Sequence, residues 1–107
     1  MRASAWRGGS RDNPIYGIRV GRPNRDAYFM RSWTSIEVEM GGQWETFTLT
    51  PGFWNQCTEF RDSGTPKIRR WLECHFTTDW PKGHPPQFEL VPVGEGRFRL
   101  EPTGASR

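Results

Sequence analysis

The stretch Trp33 to Leu49, WTSIEVEMGGQWETFTL, narrows the choice of folds more than any other. Apolar and polar residues alternate on either side of Gly41-Gly42, a two-residue turn suited to the positive φ values of a tight hairpin. That turn sets Ile36 opposite Phe47 and Thr34 opposite Leu49. Ile36, Val38, Met40, Phe47 and Leu49 then share an inner face. Glu37, Glu39, Trp33 and Trp44 share the outer one.

A second hairpin is legible in FELVPVGEGRFRL (88–100), folded around Gly94-Glu95-Gly96. Its register pairs Leu90 with Leu100 and Pro92 with Phe98, leaving Val91, Val93, Arg97 and Arg99 on the other side. Pro92 places its strand at an edge or a bulge, because proline cannot donate to a central ladder. PIYGIRV (14–20) reads as one more strand, with Tyr16, Ile18 and Val20 on one face. GRPNRDAYFMR (21–31) reads as a turn-rich connection.

Two helices are expected between the hairpins. Thr50-Pro51 is a capping hydroxyl followed by a proline, leading into Phe53, Cys57 and Phe60 at helical spacing. RDSGT (61–65) breaks the chain. Thr65-Pro66 then opens a helix that buries Ile68, Trp71, Leu72, His75 and Phe76. A Pro- and Gly-rich loop (77–86) leads back to extended chain. The expected fold class is therefore α+β: an antiparallel sheet of about five strands, free to curl strongly, in the order β-β-β-α-α-β-β. Two short helices pack on one side of it. Residues 1–13, rich in Arg, Gly and Ser, read as a flexible arm, 14–100 as the single domain, and 101–107 as a frayed tail.

Composition bounds the partner. Hydrophobic residues are only 34% of the 107, yet aromatics reach 14%, with six Trp, and that argues for a folded domain over a disordered one. No stretch approaches the ~18–20 apolar residues of a membrane span. The first residues lack the apolar core of a secretory signal. Two cysteines, Cys57 and Cys74, fit reduced thiols, so a cytoplasmic location is expected. The net charge is +3 and unevenly spread: +5 over residues 1–31 (seven Arg, two Asp), −3 over 32–50 (three Glu), and +1 over 51–107 (eight basic, seven acidic).

The start of the second helix carries the most informative oddity. A helix N-terminus favours carboxylates, and here Lys67, Arg69 and Arg70 occupy the first turn instead. With Arg61 they compose a candidate anion site; Arg97 and Arg99 on the last hairpin are a second contact, and the Arg-rich arm a mobile third. The expected function is nucleic-acid binding through phosphate contacts with modest sequence selectivity, since no face of base-reading side chains is evident. The competing expectation is a protein-interaction or accessory subunit docking through Trp33 and Trp44, or a homodimer formed by pairing hairpin edges. Cys57, Cys74, His75 and His84 show no metal-ligand spacing and no nucleophile motif, so no metal, cofactor or catalytic residue is assigned.

Overall fold

In the computed structural model, which describes residues 1–102, the basic start of the chain is a strand, not an arm. β1 (Arg2–Gly9) alternates cleanly: Ala3 and Ala5 are buried, while Arg2, Ser4 and Trp6 face outward. Alanine is a weak strand former, so the alternation is easily missed. β1 pairs antiparallel with β2 (Pro14–Arg19), with Trp6 opposite Gly17. The indole lies flat over bare backbone. A Cβ on Gly8 would stand 2.3 Å from the Trp6 ring, and one on Gly17 would stand 3.1 Å from it. Only residues 10–13 of the expected arm form a loop, and Asn13 N–H donates to both the Ser10 carbonyl and its hydroxyl.

The 21–31 connection contains a helix, α1 (Arg22–Tyr28), with Pro23 in its first turn. Its Arg25 is buried. The guanidinium donates to the carbonyls of Phe53 and Trp54 at 3.2 and 3.0 Å, satisfying the end of α2 (Pro51–Asn55). β3 (Ser35–Met40) and β4 (Gln43–Thr48) form the expected hairpin, with Ile36 opposite Phe47. The helix expected to run to Phe60 stops after one turn. The Gln56 and Cys57 amides both donate to Gly52, and Val20 N–H donates to the Thr58 carbonyl. The chain then extends as β5 (Glu59–Arg61), with Phe60 opposite Ile18 on β2. Pairing with β2 wins over the i, i+4, i+7 pattern because Phe60 reaches the core either way.

α3 (Lys67–His75) buries Ile68, Trp71 and Leu72, but His75 is exposed rather than core. β6 (Gln87–Gly94) and β7 (Arg97–Glu101) form the second hairpin, with Leu90 opposite Leu100 and Pro92 opposite Phe98. The register slips between Pro92 and Gly94, and Pro92 lies beyond the part of β6 that β1 pairs with. Residues 103–107 of the expected tail lie outside the described residues, and Glu101 belongs to β7.

The strand order is β4-β3-β7-β6-β1-β2-β5. β7 runs parallel to β3, with Val38 beside Phe98, so the sheet is mixed. It curls until its two edge strands approach, bringing the Phe47 and Phe60 ring centroids to 5.2 Å. The fold is a mostly-β, nearly closed seven-stranded barrel with three short helices, which corrects the expected five-stranded antiparallel α+β sheet. Inside it, Phe29, Phe53, Phe98 and the half-buried Trp33 interlock, the Phe29 and Phe98 rings stacked at 4.9 Å. Trp71, Phe76 and Phe88 make a second aromatic cluster under α3.

Candidate nucleic-acid interface

The anion that the start of α3 calls for is supplied from within the chain. Thr65 does not cap the helix. Asp62, four residues upstream of the Pro66 cap, accepts from the Ile68 and Arg69 amides at 2.7 and 3.1 Å. One carboxylate thus satisfies two orphan donors and places a negative charge at the start of a helix whose first turn is cationic. Half-burial raises the Asp62 pKa above its ordinary 3.8, outweighing the amide hydrogen bonds and Lys67, which pull it down.

The cations of that turn fan outward. Successive residues on a helix are ~100° apart, so Lys67 and Arg70 share one side and Arg69 takes the other. Lys67 folds back on β4, donating to the Thr46 carbonyl at 3.4 Å and pairing with Glu45 at 3.5 Å. Arg70 has no carboxylate partner among the described residues and lines a cavity with Lys67, Met40, Trp71, Cys74 and His75. Arg69 pairs with Glu73 at 3.4 Å and lies over the Tyr16 ring at 5.6 Å. Arg61 pairs with Glu59 at 3.0 Å and covers Trp6 at 4.6 Å.

Four grooves adjoin one another around this turn. Lys67 belongs both to the Arg70 cavity and to a cleft between the barrel edges that holds Arg61, Thr46 and Thr48. Asp62 and Ser63 belong both to that cleft and to a groove lined by Asn13, Tyr16 and Arg69. Pro14 and Tyr16 belong both to that groove and to the next, at the mouth of the β1–β2 hairpin, lined by Arg7, Arg11 and Asp79. Arg7 donates to the Thr78 carbonyl, reaches Asp79 at 3.6 Å and lies over Trp80 at 5.1 Å; Tyr16 Oη donates to the same carbonyl. Arg11 has no carboxylate partner among the described residues. Arg70, Lys67, Arg61, Arg69, Arg7 and Arg11 therefore follow one continuous belt. Of the acids along it, Asp62 is engaged by the helix, while Glu45, Glu59, Glu73 and Asp79 each pair with one belt cation.

Arg7 and Arg11 enter the site from the strand-paired β1–β2 hairpin, where an unpaired arm was expected. The R-A-S-A-W-R alternation was the signal that could have placed them. Arg97 and Arg99 line none of these four grooves. They project from the outer face of the sheet, away from the core side on which α3 packs, and are matched by Glu37 at 3.3 Å and Glu39 at 2.9 Å on the neighbouring strand. The hydrogen bond that Arg99 donates to the Glu39 carboxylate holds the guanidinium above its ordinary pKa. Trp33 and Trp44 do not share a face. Trp33 packs inward against Phe29 and Phe98, because the chain before β3 turns over the core and ends the strand alternation there. Trp44 alone is on the outer face, 41% exposed, with Arg97 over its ring at 4.4 Å.

Cys74, His75 and His84 are exposed and Cys57 half-buried; no three His, Cys, Asp or Glu side chains converge as a metal site among the described residues. No described helix is long and apolar enough to cross a membrane. No family model matches this chain, and no curated protein or solved structure does either.

Proposed function

We propose that this chain is a nucleic-acid-binding module that grips the phosphate backbone through the belt around α3 and the β1–β2 hairpin. The observation that supports it is the continuity of the four grooves with six cations along them, two of which, Arg11 and Arg70, have no internal partner among the described residues. A polyanion is the ligand that rewards such spacing, because each contact releases condensed counterions. Selectivity is modest, since phosphate contacts set register without reading sequence.

The protein-docking alternative rests mainly on Trp44, since Trp33 is half-buried against Phe29 and Phe98, and Arg97 already covers the Trp44 ring. A homodimer through the free edge of β4 meets the Lys67 ammonium at the Thr46 carbonyl.

Amide chemical-shift mapping with a short oligonucleotide at low salt tests the proposal. Shifts are expected at Arg7, Arg11, Tyr16, Asp62, Ser63 and residues 67–70, with Glu37, Glu39, Arg97 and Arg99 unmoved. Shifts confined to the β3–β7 outer face, or none at all, would contradict it.

A further inference from the structure

We infer that the strand held by the belt is single and that its bases stack on the guanidinium planes of Arg7, Arg61 and Arg69, an inference that rests on the nucleic-acid reading above. Each of these three belt cations lies over an aromatic ring: Arg7 on Trp80, Arg61 on Trp6 and Arg69 on Tyr16. The rings hold the guanidinium groups in place from beneath. Their side chains remain 37%, 45% and 45% exposed, which leaves room above them. A planar cation presented over an aromatic ring is a platform for an unstacked base, as Arg planes and aromatic rings are in single-strand recognition.

The course of the belt points the same way. It turns around the first turn of a nine-residue helix on a molecule only 34 × 33 × 25 Å in extent. Duplex DNA is stiff over roughly 150 bp and could touch one segment of such a path at a time. A single strand rotates freely enough at its backbone to follow all of it. The helices are also short for lying along a major groove, at seven, five and nine residues.

Arginine-to-lysine exchange separates stacking from charge, because lysine keeps the positive charge and loses the plane. The protein with Arg7→Lys, Arg61→Lys and Arg69→Lys combined is titrated against three labelled probes: a single-stranded oligonucleotide, its duplex, and an abasic strand of equal length. Thermal unfolding by circular dichroism confirms that the variant is folded. The wild type is expected to bind the single strand at least about ten-fold more tightly than the duplex or the abasic strand. The lysine variant should lose most of that preference for the base-bearing single strand. Should the variant fail to fold, the three probes on the wild type alone decide the matter. Equal wild-type affinity for base-bearing and abasic strands, or a folded lysine variant with undiminished preference, would overturn the stacking inference and leave the phosphate reading standing. Failure of all three probes to bind at low salt would overturn both.

Discussion

Asp62 is the residue on which the site depends. Three cations in a first helical turn look misplaced in a linear reading, and the carboxylate that answers them comes from before the helix. Replacing it by alanine leaves the Ile68 and Arg69 amides without their acceptor, so Asp62→Ala should cost about 0.5–2 kcal/mol in a urea melt at neutral pH. Asp62→Asn keeps an acceptor and should cost less. The pH dependence has a definite sign. The folded state raises the Asp62 pKa above 3.8, so in that interval the native protein binds more protons than the unfolded chain. Its titration therefore contributes stability that is full below about 3.8 and is lost as pH rises through the folded value. Carbon-detected NMR titration should find the Asp62 carboxyl above its ordinary midpoint, and Asp62→Asn should remove this downward slope from the stability profile.

At the scale of elements, β1 and β2 are joined by a pairing that only a weak alternation built on alanines announces. Trp6 spreads over Gly8 and Gly17, and Arg61 closes over it from the far side of β2. A methyl on Gly17 would meet the Phe60 carbonyl oxygen at 2.7 Å as well as the indole. Gly17→Ala should therefore destabilise by roughly 1–3 kcal/mol, seen as a lowered melting midpoint. A mutant of wild-type stability would mean that the indole does not lie there. Both expected hairpins form with their expected pairings because alternation and tight Gly turns are local signals. Three other elements were hidden, each for its own reason. β1 is built on alanines and sandwiched by neighbours distant in sequence. α1 conceals a buried arginine inside a charged, proline-bearing run. β5 carries a helical spacing that pairing with β2 overrides. The cations around α3 could be read from the chain, but their distribution between two sides of the helix, and the arrival of Arg7 and Arg11 beside them, depend on the curl of the sheet.

For the whole molecule, β1 lies between β6 and β2, so among the described residues it carries the strand pairing that joins the two hairpins, β3–β4 and β6–β7, to the β2–β5 pair. Removing residues 1–9 should abolish cooperative thermal unfolding, whereas a detachable arm would leave the transition intact. The same closure gathers the belt, since it brings the β5 end, the α3 start and the β1–β2 turn to one end of the barrel. The most direct test of the phosphate-contact account is the affinity for a single-stranded oligonucleotide measured by fluorescence anisotropy across a salt series. With all six belt cations engaged, the logarithm of the association constant should fall linearly with the logarithm of salt, with a slope of roughly −4. Arg11→Ala with Arg70→Ala should make that slope shallower by about 1.4. Binding that is absent at low salt, or present with a slope near zero and indifferent to the double substitution, would contradict it.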